Sequence, residues 1–388
     1  MNPGGIPDIY DAVIVGGGPA GAAAAIELAR GGRAVLLLDR ENETTFKVGE
    51  ALPSACNRIL RDLGAWESFL ADKHLPSYAN LAAWNQDTLE SVDFIFDPNG
   101  HGWHLERGRF DAGLRSVARN YGAVVSTGAK MERLLFEPGT ENQWCLRYAL
   151  HNREKIEVCC RWVVDASGRR GAIVRQLPVR RLAFDQLAAC FAVFEQSKDK
   201  FAAEDEDSRT LIEAAPDGWW YTALIPQNRR VVCYFTDTDL SVPQRNLPRT
   251  TKKFLSLLAE TKHIREVISE RNYRLCSVLQ RASANSTRLT NFSGPGWLAT
   301  GDAAMSFDPL SSQGILTGLY SGMLAGQTLN NFFSGEAYSL IHYEERLATI
   351  FDAYLANLQT GYNSEKRWSQ REFWKRRQRT ADQEKNGF

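Results

Sequence analysis

The chain of 388 residues has room for two or three domains and for a core that buries a large cofactor. Its 46 Lys and Arg balance its 46 Asp and Glu, so the broad cationic field of a nucleic-acid binder is missing. Seven cysteines (56, 145, 159, 160, 190, 233 and 276), odd in number and never in a CxxC pair, argue against a disulfide framework and a metal site, and fit a reducing cytoplasm.

The opening "MNPGGIPDIYDAVIV" lacks the basic region and cleavable apolar stretch of a signal peptide. No run nears about eighteen uninterrupted apolar residues, so no membrane span is expected. The first organised unit is "DAVIVGGGPAGAAAAIELARGGRAVLLLDR": an apolar strand from Ala12 to Val15, a Gly-rich turn, an Ala-rich helix and a second strand ending at Asp39. In this βαβ context Gly16, Gly18 and Gly21 form GxGxxG, with Pro19 and Ala20 inside it. Such a turn lets the backbone approach a pyrophosphate at a helix N-terminus. Asp39 is placed to accept hydrogen bonds from a ribose, and Arg40 follows it.

Pro53 and Ser54 then open a predicted helix that Gly64 stops. Residues 78 to 96 alternate loosely and suggest sheet. "HLERGRFDAGLRSVARNYGA" predicts an amphipathic helix with Phe110, Leu114 and Val117 as its apolar stripe. "RWVVDASGRRG" predicts a strand entering a Gly turn, and strands return between 187 and 237. Residues 250 to 270 are predicted helical, and 336 to 388 a polar, helix-rich tail. The late segment "TGDAAMSFDPLSSQGILTG" leads into a helix in which Gly314, Gly318, Gly322 and Gly326 recur every fourth residue. That makes a smooth face for close packing, with the "GAAAAIELA" helix the natural neighbour.

The alternation predicts an α/β fold: a Rossmann-like nucleotide-binding domain, interrupted by a mainly antiparallel β domain and followed by a helical tail. The expected divisions are 1–75, 105–180 and 286–335 for the nucleotide-binding domain, 76–104 and 181–285 for the inserted domain, and 336–388 for the tail.

GxGxxG, "VVDASGRRG" and "LATGDAAMSFDPLSSQG", in that order, resemble the three signatures of FAD-dependent aromatic hydroxylases and their relatives, which include flavin-dependent halogenases and geranylgeranyl reductases. The resemblance covers nearly the whole chain and implies that the nucleotide-binding domain is an FAD-binding domain of glutathione reductase type and the inserted one a substrate domain, with noncovalent FAD, and NAD(P)H as a visiting co-substrate because a second dinucleotide fingerprint is missing. It gives Asp165 a contact with the flavin pyrophosphate region and the nicotinamide nucleotide, and Arg107 a place on FAD. A strand-end turn Asp and a surface Arg are the plainer alternatives. Asp302 would accept hydrogen bonds from ribityl hydroxyls, with Gly301 allowing close approach. The helix beginning near Gln313, Gly314 and Ile315, after Pro309, would aim its amides at the flavin's pyrimidine edge.

The sequence departs from the halogenases where their chemistry is located. Ser77 in "SYANLAAWN" stands at the position of their catalytic lysine. Ser311 in "DPLSSQG" matches the glutamate of tryptophan halogenases, and "WWYTALIP" is one residue longer than their Trp-x-Trp-x-Ile-Pro block. "GEALP", "GWWY", "DPLSSQGI" and the tail "SEKRWSQREFWKRRQ" resemble flavoproteins that modify tryptophan during cysteine tryptophylquinone biogenesis in quinoprotein amine oxidases and dehydrogenases. That resemblance implies hydroxylation of a tryptophan side chain in a precursor polypeptide through a flavin C4a-hydroperoxide.

Trp84, Trp103, Trp219 and Trp220 are candidates for walling an aromatic pocket, though such residues are as often core. Glu50 and His104 are candidates for proton transfer, with a structural His the alternative. The basic, aromatic tail from 365 to 379 either docks a protein partner or packs its aromatics on the body. The competing functions are a halogenase-like or small-molecule tailoring hydroxylase, a reductase that saturates isoprenoid chains, and a non-catalytic flavoprotein chaperone.

Overall fold

The computed structural model describes residues 9–41, 47–137, 139, 144–197, 204–241 and 247–378. The first eight residues and the end of the tail from Arg379 lie outside the described residues. The opening unit forms as its pattern predicts. Strand Ile9–Val15 enters helix Pro19–Arg30 and returns as strand Val35–Asp39, with both apolar strands buried. These strands sit beside Lys155–Asp165, Trp297–Ala299 and Val124–Thr127 in parallel register, so four distant stretches of chain share one sheet.

The glycine helix, Gly314–Phe333, lies against the first helix as its four-residue glycine spacing requires. A Cβ on Gly322 would fall 2.1 Å from the Ala20 carbonyl oxygen, and one on Gly326 would fall 2.5 Å from the Glu27 Cβ. Only hydrogen fits there. The predicted helix after Ser54 is Cys56–Asp62, ended by Gly64 at φ +69°.

The second large sheet runs Tyr273–Leu275, Leu187–Gln196, Arg229–Asp237, Gly218–Ile225, Thr210–Ala215, Ala79–Ala83, Glu90–Asp93. It is antiparallel except where Thr210–Ala215 meets Ala79–Ala83. Strand alternation sorts its two faces. Trp220, Tyr234 and Cys190 point to one side, where helices Thr251–Leu258 and His263–Glu270 cover them. Trp219, Tyr221, Cys233, Phe235 and Phe191 point to the other.

The segment predicted as one helix over 250–270 is two, because the Glu213 carboxylate accepts the amides of Lys262, His263 and Ile264 and starts a second N-terminus there. The cysteine reading is corrected: Cys145 and Cys159 sit directly opposite on antiparallel strands, with Cα atoms 4.2 Å apart, and form a disulfide. Their spacing of fourteen residues says nothing until hairpin register sets them face to face.

The tail is a long helix, Ser339–Ser364, then a short one, Glu372–Lys375. Phe373 and Trp374 are fully buried and Trp368 stacks on Trp374. Arg377 binds Asp237, Arg376 binds Asp237 and Asp239, Arg367 binds Glu365 and Asp87, and Arg371 lies 3.6 Å from Asp217. Of the two alternatives for the tail the packed one is observed, with its aromatics buried and Asp87, Asp217, Asp237 and Asp239 of the body holding these arginines. No helix among the described residues is long and apolar enough to cross a membrane.

Candidate functional site

A cavity of about 690 Å³ runs between the two large sheets, from the glycine turn to the Tyr221 face. At one end Gly16, with φ +114°, turns the chain so tightly that a Cβ there would lie 2.2 Å from the Ala166 carbonyl oxygen. Gly18 is the N-cap of the first helix, Pro19 fills its first turn, and no side chain caps it. The space where a Gly18 Cβ would sit is open. Gly21 packs on Gly16 away from the cavity, a Cβ there falling 1.8 Å from the Gly16 oxygen. The glycine helix also begins without a side-chain cap, after Ser312 in the left-handed region, and Pro309, Gly314 and Ile315 reach the same cavity. Gln313 is its N-cap residue but does not line the cavity. Two uncapped helix N-termini on one cavity, with their free amides and positive dipole ends, are a built site for a ligand carrying negative charge at two separated places.

Asp39 lines the cavity and is held by a residue sequence reasoning missed. Arg115, 1% exposed, donates to Asp39 Oδ2 at 3.1 Å and to the Gly17 carbonyl at 3.0 Å. Its signal was faint: Arg115 follows Asp111 by four residues along the margin of the Phe110–Leu114–Val117 stripe. Arg107 is no surface residue, with 12% of its side chain exposed. It donates to the Val48 and Gly49 carbonyls at 3.1 and 2.9 Å and pairs with Asp111. Asp111 also holds Lys47 at 3.0 Å, so this lysine of the cavity wall is ion-paired; the exposed Lys130 is the other lysine that lines it. Arg40 is exposed at the cavity margin. Asp302 and Gly301 line the cavity opposite the glycine turn, and Arg169, also missed, stands 3.5 Å from Asp302.

Asp165 is corrected. Its carboxylate is fully buried off the cavity, accepting from the amide and hydroxyl of Ser167 and from the amides of Ile173 and Val174. With both oxygens used, it shapes the loop after its strand and has none left for a ligand.

At the other end the wall is the second sheet. Phe191, Cys233 and Tyr221 are register neighbours on three adjacent strands, with Phe235 two residues on from Cys233. Glu50 joins them, 5% exposed. Burial pushes its carboxyl above the usual range, against the pull of Tyr221 and Arg107. The Tyr221 hydroxyl is buried beside Glu50 without completing a hydrogen bond of ordinary geometry. The end is thus aromatic and apolar, with the Glu50 carboxyl in its wall and the Tyr221 hydroxyl buried beside that carboxyl.

His104 does not reach it. Its Nε2 meets the Thr210 hydroxyl at 2.9 Å, and burial lowers its pKa to about 4, so it is neutral near neutral pH. None of the four tryptophans lines the cavity. Trp219 and Trp84 are covered by the tail helix, donating to the Tyr362 hydroxyl and the Gly361 carbonyl. Trp220 packs on Tyr234 and Phe254 on the far face, and Trp103 packs on Phe69 and donates to Asn57. Ser77 is buried off the cavity, and the Ser311 hydroxyl donates to the Asp308 carbonyl at 2.8 Å. Among the described residues no group of three or more His, Cys, Asp or Glu could hold a metal ion.

The family described as FAD binding domain matches residues 9–354. LodB of Marinomonas mediterranea, described by its name as a FAD-dependent oxidoreductase, is 29% identical over 373 residues, covering 95% of this chain and 96% of that protein. The structure of the myxobacterial chondrochloren halogenase CndH superposes with a TM-score of 0.87 at 23% identity, over 98% of this chain and 88% of its own. The peptidyl tryptophan dihydroxylase QhpG, essential for tryptophylquinone cofactor biogenesis, superposes at 0.74 with 22% identity, over 95% and 78%.

Proposed function

Because this chain belongs to the FAD-binding-domain family and is a FAD-dependent oxidoreductase, we propose that it is a monooxygenase that hydroxylates an electron-rich aromatic ring, with NAD(P)H as reductant. The ring we assign is a tryptophan side chain of a precursor polypeptide on the way to a quinone cofactor. The observation that carries the reading is the cavity itself: two helix N-termini for the cofactor at one end, an aromatic end with a buried carboxyl at the other, and Lys47, one of its two lining lysines, tied to Asp111.

The residues present fit FAD. The amides after Gly18 would hold the pyrophosphate, Asp39 and Arg40 the adenosine, Asp302 the ribityl hydroxyls, and the amides at Gly314 and Ile315 the flavin's pyrimidine edge. Arg107 would lie alongside. FAD, when bound and reduced, supplies the activation of dioxygen. The chain's own work is to exclude water and hold the ring. Phe191 and Phe235 stack against it, while Glu50 and the Tyr221 hydroxyl accept from and donate to its polar edge. Glu50, with its raised pKa, is the group that holds or releases a proton beside the ring.

Likeness in fold to CndH favours a second reading, halogenation. Against it stand Ser77, Ser311 and the ion-paired Lys47. The deciding experiment supplies FAD, NAD(P)H, dioxygen and bromide, with free tryptophan, a tryptophan-containing peptide or, in a separate reaction, an unsaturated isoprenoid, and weighs the product. One or two added oxygens support the proposal. A bromine isotope doublet overturns it in favour of halogenation, two added hydrogens on an isoprenoid substrate indicate a saturating reductase, and no product in any case indicates a chaperone. Free tryptophan oxidised as efficiently as any peptide makes it a small-molecule hydroxylase.

A further inference from the structure

The strand Glu90–Asp93 closes the second large sheet at one edge, and all four of its residues are exposed. The Phe94 amide donates to the Tyr78 carbonyl at 2.8 Å, so alternate residues Val92 and Glu90 turn their backbone groups inward. Ser91 and Asp93 therefore point theirs outward. Around this row stand Tyr78, Val92, Ile95 and Phe96, exposed by 57, 64, 81 and 94%. Folded proteins avoid an open sheet edge bordered by apolar side chains unless something pairs with it.

The edge is also acidic. Asp87 is met by Arg367, but Glu90, Asp93 and Asp97 make no salt bridge among the described residues. Arg209, the cation near Asp93, is itself bound to Asp207. Two such edges brought together would set carboxylates against carboxylates, which disfavours a second copy, and the same charges repel an anionic membrane surface.

We propose that this edge binds an extended, basic segment of a polypeptide partner by strand addition, with Ile95 and Phe96 packing on its apolar side chains. Outward amides and carbonyls supply affinity, and the carboxylates select Lys and Arg. The proposal rests on the protein-substrate reading above and gives that substrate its anchor. Counting inward from an added strand, the Gly218–Ile225 strand that carries Tyr221 is the fourth neighbour. At roughly 4.8 Å per strand the separation is about 19 Å, or about six extended residues. The anchored segment would lie about that far along the chain from the tryptophan in the cavity.

The test uses the FAD-loaded full-length protein and two fluorescein-labelled peptides of about sixteen residues. One alternates Lys and Val over its first half and carries a single Trp about six residues beyond that stretch; the other carries Glu in place of Lys. Binding is read by anisotropy, without turnover. The Lys peptide is expected to bind, more weakly as salt rises, and the Glu peptide not to. The double variant Ile95→Ser/Phe96→Ser should weaken binding on the order of tenfold. So should Ser91→Pro, which removes one outward N–H and no ladder bond. All these side chains are exposed, so folding and FAD content should be unchanged. Equal binding of the two peptides, no loss in either variant, Phe96-dependent self-association in sedimentation, or Phe96-dependent binding to phosphatidylcholine–phosphatidylserine vesicles would each overturn the proposal. Binding of the Lys peptide by a protein that oxidises no tryptophan keeps the edge and sinks the monooxygenase. Oxidation of a peptide tryptophan unaffected by both variants does the reverse.

Discussion

Replacing Gly322 by Ala adds one methyl group where the first helix and the glycine helix touch. The new Cβ would lie 2.1 Å from the Ala20 carbonyl oxygen, 2.8 Å from its carbon and 2.9 Å from its Cα. Backbone carbon–oxygen contacts settle near about 3.3 Å, so the helices must part locally by roughly 1.2 Å. A gap near 1 Å forfeits up to about half the contact energy of the atoms it separates, and overpacking of this kind costs about 1–3 kcal/mol. With roughly 2–4 °C lost per kcal/mol in larger domains, Tm should fall by about 2–12 °C in differential scanning fluorimetry. Because Ala20 sits in the first turn after Gly18, the shift also moves amides assigned to the pyrophosphate. The dissociation constant for FAD should rise several-fold. Gly361→Ala is the control: it lies late in the Ser339–Ser364 helix with its nearest neighbour, Leu310 Cδ2, at 4.0 Å, and should gain about 0.5–1 kcal/mol from helix propensity. If Gly322→Ala matches or exceeds that control in Tm and retains FAD as tightly as the parent, close packing of the two helices is not what the glycine spacing serves.

Asp302→Ala should raise the FAD dissociation constant more than Ser311→Ala, since a charge-assisted hydrogen bond is worth about 1.5–3 kcal/mol and a neutral one about half that. Equal losses in a fluorescence titration would remove Asp302 from the ribityl chain. Tyr221→Phe deletes a buried hydroxyl without a well-formed partner, so Tm should hold or rise while KM for the aromatic substrate rises; a fall in Tm with KM unchanged would make that hydroxyl structural. Burial, aided by the like charge of Asp185, pushes Asp308 up to about 7 from an ordinary 3.8. The folded chain therefore holds a proton that the unfolded chain has released, and this stability is full below the unfolded value and lost as pH rises through about 7. Asp308→Asn should flatten the decline of Tm between about pH 4 and about pH 7; an unchanged slope would assign it to other groups.

What the chain determines locally was legible in its sequence. The glycine turn, the βαβ unit, the stop at Gly64 and the packing face of the glycine helix follow from backbone sterics and periodicity, which act over a few residues. Family membership was legible for the same reason, because three short, ordered motifs each carry their own geometry. Pairings made across the fold were not. Arg115 reads as a polar helix position until Asp39 arrives from 76 positions away. Asp165 reads as a ligand-facing acid until the amides of Ile173 and Val174 use its second oxygen. Cys145 and Cys159 become partners only through hairpin register. The sequence left the tryptophans and the basic tail with two readings each, and one arrangement decides both: the Ser339–Ser364 helix and the segment after it cover Trp84 and Trp219 while acids of the body hold the tail's arginines. Residue type says that an indole wants an apolar contact and that a guanidinium wants a carboxylate. Which contact each obtains depends on chain segments brought together from hundreds of residues apart, and only the tertiary structure decided that.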